Sequence, residues 1–354
     1  MFNTLKNLFL SQSGDIAPII EIEDLENCDL KNIFIKNGFF IIKNFFDETK
    51  KNFYLDEVNK TLQIQNNVDT SKVLSDALNY NHKFIDLVSD DTLNKMNTKL
   101  LGHDYIFLQN LDLHANQNAH QWHRDIASKD GKIVEKNNNE YLIIKYAIYL
   151  KISNSAFFIV KNSHFSNESS EIFGKNLYDM KDYNFFDVAD YKKSNTGDIL
   201  YYKPNAGDLI GFDYRILHTA SNVTDDGKPT NEDFQKEKKV IWPTYGKRNF
   251  FTESIYQYVK FIRKDFDILE YQNKETYNFL KNTNHLPDTY EKISDEHINW
   301  CRDNLMYSAE LDDLIYERAN SENLISFRKK LIENYSKDPK YSLQLEKQKK
   351  YIFN

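Results

Sequence analysis

The sequence predicts a mainly β domain with flanking helices, followed by a helical extension at the C-terminal end. Residues 141–152 and 156–160 are rich in β-branched and aromatic side chains, and a short turn at 153–155 joins them as two strands. Residues 47–88 instead show helical spacing of apolar positions with polar faces between them. From about residue 254 the chain shows amphipathic helical spacing without strand alternation.

The N-terminal part is expected to lead into the β domain. Residues 1–27 are predicted to be an irregular or partly helical lead-in, and the β domain is predicted to span 28–255. The run Asn-Gly-Phe-Phe-Ile-Ile-Lys-Asn at 37–44 indicates an opening strand. The helices predicted over 47–88 are expected to brace one side of the sheet.

Strands are expected to dominate residues 105–251. Two polar stretches interrupt them, at 130–140 and at 167–196. Because loops placed on a rigid β scaffold usually set specificity, these two segments are expected to form a lid or the rim of a substrate site.

Residues 256–354 are predicted to form the helical extension. Ile255, Val259 and Ile262 recur at helical spacing, and similar patterns continue further along the chain among abundant charged residues. The extension is expected to pack on the β domain or to form the contact face of a homodimer.

Composition excludes several classes of protein. With 354 residues, 40% of them hydrophobic and 14% aromatic, the chain can fill a β-rich core. Its two cysteines, Cys28 and Cys301, exclude a disulfide framework, and its net charge of −7 argues against nucleic-acid binding. No apolar run approaches about twenty residues, and the N-terminus lacks the order of a secretory signal. A cytoplasmic protein without a membrane span is expected.

A pair of metal-ligand residues stands in the run His-Gln-Trp-His-Arg-Asp at 120–125. Residues two apart on an extended strand point to the same side, so His123 and Asp125 can bind one metal ion while Trp122 and Arg124 point away. His218 follows a Gly-Asp turn and an apolar strand, which would deliver it beside this pair. Two imidazoles and one carboxylate that leave coordination positions open favour Fe(II) in an oxygenase.

The other histidines are weaker candidates for the metal. Strand alternation from His123 places His120 on the opposite side, and His114 fits a neighbouring or surface position better than a ligand position. His164 is expected to belong to a turn or a strand end.

Two other enzyme classes share parts of this motif. The run His123-Arg124-Asp125 matches the catalytic loop of protein kinases, but position 130 is Asp130 instead of the asparagine that binds magnesium, and the other kinase motifs are missing. The pair His120 and His123 does not have the i, i+4 helical spacing of zinc hydrolases, and cysteine ligands are lacking.

The order of these motifs resembles the phytanoyl-CoA dioxygenase family over roughly residues 28–255. The strand at 37–44, the pair His123 and Asp125, the turn Lys-Asn-Ser-His at 161–164 and the Gly-Asp strand before His218 follow one another as in that family. The resemblance implies a double-stranded β-helix, or jelly-roll, core. It also implies Fe(II), 2-oxoglutarate and O2, with hydroxylation of a small organic substrate and release of succinate and CO2.

The arginine that binds 2-oxoglutarate is where the chain departs from the family pattern. Members usually place it about a dozen residues past the second histidine, but the first arginine after His218 is Arg248. A charged stretch with turn residues at 224–239 stands between them and is interpreted as an inserted loop. Arg248 is therefore the predicted cosubstrate residue, because a planar guanidinium suits a bidentate carboxylate contact.

Three readings of the function stay open. A hydroxylase would act on a small substrate such as an acyl group, a glycan or a metabolite intermediate. A catalytically silent jelly roll that binds a small acid or sugar would tolerate the displaced Arg248. A peptidyl or protein hydroxylase would use the same site in an open groove.

Overall fold

The architecture comes from a computed structural model that describes most of the chain up to residue 305. The described residues are 18–63, 72–74, 77–116, 118–119, 121–128, 130–134, 141–152, 154–167, 169–180, 183–224, 227–230, 237–261, 274–290 and 294–305. The described strands are β1 (Ile19–Glu21), β2 (Phe39–Lys43), β3 (Lys72–Leu74), β4 (Tyr105–Ala115), β5 (Ile143–Lys151), β6 (Ser155–Val160), β7 (Phe185–Asp187), β8 (Ile199–Tyr202), β9 (Leu209–Asp213), β10 (His218–Val223), β11 (Pro229–Thr230) and β12 (Lys239–Lys247). The described α-helices are α1 (Leu30–Asn37), α2 (Glu48–Gln63), α3 (Ile85–Val88), α4 (Asp91–Leu101), α5 (Phe250–Phe261), α6 (Lys274–Asn282) and α7 (Asp295–Asn304).

The strands form two sheets. The major sheet has seven strands in the order β1-β2-β9-β5-β12-β4-β3, and the minor sheet has five in the order β11-β10-β6-β8-β7. Along the chain, β4, β5, β9 and β12 belong to the major sheet, while β6, β8 and β10 belong to the minor sheet. Because the chain passes repeatedly from one sheet to the other, with antiparallel neighbours at the centre of each, the core is a jelly roll. The predicted mainly β fold with flanking helices is confirmed.

The inner faces of the two sheets enclose one apolar cluster. Ala147 and Tyr149 of β5 share it with Phe157 of β6, Phe212 of β9 and Trp242 of β12. These residues occupy alternate strand positions, as the period of two requires for one buried face.

The outer face of the major sheet is covered by helices. The buried face of α4 consists of Leu93, Met96, Leu100 and neighbouring positions at helical spacing. The helix begins where the Asp90 side chain accepts hydrogen bonds from the backbone N–H groups of Thr92 and Leu93. Within the predicted range 47–88, α2 buries Tyr54, Val58 and Leu62 in the same core, as expected of a helix that braces one side of the sheet.

The outer face of the minor sheet is covered by part of the segment expected to be a lid. Ile172, Leu177 and Met180 pack there with Trp122 and Phe158 in a separate buried cluster. This part of the 167–196 segment therefore packs on the minor sheet through its apolar side chains, although the segment also contains many polar residues. Of the other expected rim segment, residues 135–140 lie outside the described residues.

The first and last described parts of the chain pack on the β core. Strand β1 pairs in parallel with β2, so the predicted lead-in contributes a strand where it is described. Helix α5 spans the predicted boundary at residue 255, and Phe251, Ile255 and Tyr256 join the core between the major sheet and its helices. The extension beyond residue 305 lies outside the described residues, and its division from the β domain stays a prediction. Among the described helices, none has the length and apolar character needed to cross a membrane.

Gly38 lies between α1 and β2. A substitution at this position tests how closely His164 packs against it. Its φ is 74°, and a Cβ at this position would overlap the ring of His164. Gly38→Ala is expected to lower the unfolding free energy by about 1–2 kcal/mol for the left-handed backbone, with a further ~1–3 kcal/mol for repacking His164. Urea unfolding measures the change.

Gly174→Ala is the matched control. Its φ is 78°, but a Cβ there meets nothing within 4 Å. It should show only the backbone part of the cost. Equal losses in the two variants would contradict close packing of His164 on Gly38.

Candidate metal centre

His123 and His218 are brought together by backbone pairing at the edge of the minor sheet. They form an isolated antiparallel bridge in which each N–H donates to the other's carbonyl oxygen, at 3.1 Å from His123 and 2.9 Å from His218. Their rings consequently lie with centroids 4.3 Å apart. The sequence prediction that a distant strand delivers His218 beside His123 agrees with this geometry.

Three side chains lie close enough together to bind one metal ion. One ligand atom from each of His123, Asp125 and His218 lies within 4.8 Å of the others. The His123 Nδ1 lies 2.9 Å from the carbonyl oxygen of Gln121, and the His218 Nδ1 lies 3.1 Å from that of Ile216. An Nδ1–H that donates to a carbonyl leaves the Nε2 lone pair for a metal. The donor set therefore fits Fe(II) or a similar divalent ion with open coordination positions.

The electrostatic environment keeps His218 in the form that a metal requires. Burial, together with the nearby His123, lowers the pKa of His218 to about 3, although Asp125 acts in the opposite direction. His218 is therefore neutral at physiological pH, and its ring need not lose a proton before it binds a metal.

Arg124 connects the segment of His123 and Asp125 to the segment that precedes His218. Its guanidinium is buried, and Nη1 donates to the carbonyl oxygens of Ser163, at 2.6 Å, and of Arg215. The Ser163 Oγ in turn accepts the N–H of Leu217 at 2.8 Å, directly before His218. One charged side chain thus joins the segment of the first histidine to the turn that carries the second.

Lys145 is the second charged group at the site, and it stands on the opposite sheet. Its Nζ lies 3.3 Å and 3.4 Å from the two oxygens of Asp125, and its side chain is 8% exposed. The ammonium also lies 5.3 Å from the ring centroid of Trp242 and 5.7 Å from that of Tyr214. Sequence analysis missed Lys145. The available signal was a lysine within the apolar run of β5.

Aromatic side chains line the site beside His218. The ring centroid of Phe212 lies 4.6 Å from that of His218, and the ring centroid of Phe157 lies 5.3 Å away. These rings limit the water that reaches the buried histidine, which strengthens electrostatic interactions there.

Two of the other candidate histidines, His164 and His114, lie outside this arrangement. His164 is buried in the turn after β6, with Nε2 3.0 Å from the carbonyl oxygen of Ile35, as expected of a turn residue. His114 packs against Trp242 with centroids 5.0 Å apart. His120 lies outside the described residues.

The structure places Arg248 among partners of its own. Its Nε donates to Asp104 at 2.7 Å, and Nη1 donates to Asp288 at 2.6 Å and to the carbonyl oxygen of Leu286 at 3.1 Å. Its Nη2 donates to the carbonyl oxygen of Asn284 at 2.6 Å. These contacts tie the end of β12 to the segment after α6. The role of Arg248 in cosubstrate binding stays a prediction that these contacts do not support.

The chain is similar in structure to several solved proteins, at low sequence identity. No protein-family model matches the sequence. No curated protein matches it either, so the resemblance to the phytanoyl-CoA dioxygenase family stays a prediction. HygX from Streptomyces hygroscopicus, solved with nickel and 2-oxoglutarate bound, is 14% identical with a TM-score of 0.46, over 65% of this chain and 88% of that one.

Two further similar structures come from nogalamycin biosynthesis. The non-heme alpha ketoglutarate dependent epimerase SnoN is 12% identical with a TM-score of 0.43, over 64% of this chain and 84% of that one. The carbocyclase SnoK, described in the same terms, is 13% identical with a TM-score of 0.43, over 64% and 86%. At such identities and TM-scores, the function has to be argued from this chain's own residues.

Removal of single ligands tests the metal centre. The purified protein is expected to bind about one Fe(II) per chain under anaerobic titration, and His123→Ala or Asp125→Ala should abolish this binding, because two donors remain from a set of three. His103→Ala, which removes an exposed histidine, is the control and should bind iron as the unmodified chain does. Stoichiometric binding in both ligand variants would show that the metal lies elsewhere.

The buried state of His218 predicts acid sensitivity of the metal-free protein. Its pKa is about 3 in the folded chain and about 6.5 when unfolded, so its contribution to stability is complete above pH 6.5 and is lost as the pH falls towards 3. Between pH 7 and pH 5 this loss is about 2 kcal/mol. Chelator-treated His218→Asn, whose amide can still donate to a carbonyl, should lose that much less unfolding free energy over this interval. Parallel pH profiles of the two proteins would contradict the depressed pKa.

Proposed function

We propose that this chain is an Fe(II)- and 2-oxoglutarate-dependent oxygenase that hydroxylates a small organic substrate. In this reaction O2 and 2-oxoglutarate are consumed, and succinate and CO2 are released with the hydroxylated product. The observation that carries the proposal is the convergence of His123, Asp125 and His218 at the edge of a jelly roll, with both histidines oriented by backbone carbonyls.

The residues of the chain divide the work of the site. His123, Asp125 and His218 would hold Fe(II), which when bound supplies the coordination positions for a 2-oxo acid and for O2. The carbonyl oxygens of Gln121 and Ile216 fix the orientation of the two rings. Such fixed orientation reduces the reorganisation that the reaction requires.

The site also has means of excluding water. Phe157 and Phe212 pack on His218, and Trp242 packs on both of these rings. An apolar wall suits a reaction in which water must be kept from reactive species, and it suits a small organic substrate better than a charged polymer. The apolar wall therefore favours a small-molecule hydroxylase over a peptidyl or protein hydroxylase.

A second candidate function is a catalytically silent binding protein. The observation that favours it is the set of four hydrogen bonds that occupies Arg248, the residue predicted to bind 2-oxoglutarate. A jelly roll without a cosubstrate site could still bind a small acid through its metal.

Iron-dependent turnover of 2-oxoglutarate distinguishes the two candidates. The Fe(II)-loaded protein, given O2, 2-oxoglutarate and ascorbate as the two-electron reductant in place of the substrate, is expected to release succinate slowly, and His218→Ala should remove this release together with iron binding. His103→Ala is again the control, and succinate is measured by mass spectrometry. Stoichiometric iron binding without any succinate would favour the silent binder.

A further inference from the structure

Lys145 is a buried cation that faces the metal-ligand candidates from the opposite sheet. Its Nζ lies 3.3 Å from Asp125 Oδ2 in a salt bridge whose side chains are 8% and 12% exposed. An ammonium has three donors, and Asp125 need accept only one of them. Lys145 can therefore contact Asp125 and a further anionic group together.

Thr244 provides a second donor directly beside Lys145. The two residues are opposite each other in the antiparallel pairing of β5 with β12, so their side chains lie on the same face of the major sheet. On the other side Lys145 is opposite Phe212, which belongs to the inner cluster and contacts His218. The shared face is therefore the inner one, towards the metal-ligand candidates.

The Thr244 hydroxyl is not used by the fold. Thr244 is fully buried, and within the described part of the chain its Oγ1 has no hydrogen-bond partner. A buried hydroxyl without a partner is unfavourable, because it has lost its hydrogen bonds to water. A ligand that accepts a hydrogen bond from this hydroxyl would remove that cost.

The charges of the site favour a dianion. The charges of Asp125 and Lys145 are opposite and cancel as a pair, so a divalent cation bound beside them would add two positive charges. Uncompensated charge in a site of low dielectric is unfavourable, and a dicarboxylate would neutralise it. A monocarboxylate would leave one positive charge.

We infer that Lys145 and Thr244 bind the distal carboxylate of 2-oxoglutarate, the role that the sequence assigned to Arg248. The inference rests on the proposed function, since it needs a 2-oxo acid chelated at the metal. In this arrangement the ammonium contacts one carboxylate oxygen and the hydroxyl donates to the same group. Three of the four partners of Arg248 then connect β12 to the segment after α6, and the fourth, Asp104, lies directly before β4.

A competing role for Lys145 is to orient Asp125 alone. The two roles predict different effects on the binding of two acids, 2-oxoglutarate and 2-oxopentanoate. A residue that binds the distal carboxylate affects 2-oxoglutarate and leaves 2-oxopentanoate, which lacks that carboxylate, unaffected. A residue that orients Asp125 affects the metal, and through it both acids equally.

Anaerobic calorimetry of the Fe(II)-loaded protein with the two acids separates these roles. The unmodified chain is expected to bind 2-oxoglutarate more tightly than 2-oxopentanoate. Lys145→Met should weaken 2-oxoglutarate binding at least tenfold, about 1.4 kcal/mol, and leave 2-oxopentanoate binding within about twofold. Thr244→Val, which keeps the shape and removes the hydroxyl, should weaken 2-oxoglutarate binding by a smaller factor, about three- to tenfold.

Two further variants serve as comparisons. Lys161→Met removes another buried ammonium, which donates to the carbonyl oxygens of Tyr191 and Ser194, and it should leave the affinities for both acids unchanged. Arg248→Lys keeps the charge and loses the planar guanidinium. If Arg248 bound the carboxylate, this change would reproduce the loss expected of Lys145→Met, and the inference would be overturned.

Other outcomes are equally decisive. Equal weakening of both acids in Lys145→Met would overturn the inference in favour of orienting Asp125, and unchanged 2-oxoglutarate binding in both Lys145→Met and Thr244→Val would overturn it outright. In either case the proposed function stands as long as the unmodified chain binds 2-oxoglutarate. If the unmodified, iron-loaded chain binds neither acid, the proposed function fails and the inference fails with it.

Discussion

The pairing of the His123 backbone with the His218 backbone is the interaction on which the site depends. Two reciprocal hydrogen bonds set the separation of the rings, and they join segments almost a hundred residues apart in the sequence. The jelly roll makes this contact available because β11 pairs only with Asn222 and Val223 of β10, so the end of β10 at His218 can pair with an additional segment. Without this pairing, His123 and Asp125 would form a two-residue site of low affinity.

Two buried arginines near the site, Arg124 and Arg215, have polar partners. Arg124 donates to carbonyl oxygens on both sides of the metal-ligand segments, and Arg215 forms a buried bidentate ion pair with Asp213 at 2.8–2.9 Å. Buried charges with satisfied hydrogen bonds cost little, whereas loss of one partner is expensive. The support around the metal-ligand residues is therefore rigid, which favours a fixed donor geometry.

The contrast between Arg248 and Lys145 shows how similar residue types acquire different roles. Arg248 follows β12 directly, and the sequence predicts that its guanidinium binds 2-oxoglutarate. In the structure the guanidinium donates hydrogen bonds to Asp104 and Asp288. Lys145 stands within an apolar strand that offered no motif, and the register with β12 and β9 places it on the inner face. Position in the sheet, and not position along the chain, decides which cation lies beside Asp125.

The sequence by itself determined the β-rich core, the bracing helices and the spacing of His123 and Asp125, because strand and helix periodicities are local properties. It also indicated His218, since a strand that ends at a histidine is visible in the residues that precede it. Only the tertiary structure decided the partners of Arg248, the packing of residues 172–180 on the minor sheet, and the presence of Lys145 beside Asp125. These features depend on strand register and on contacts between distant segments, which residue spacing does not encode.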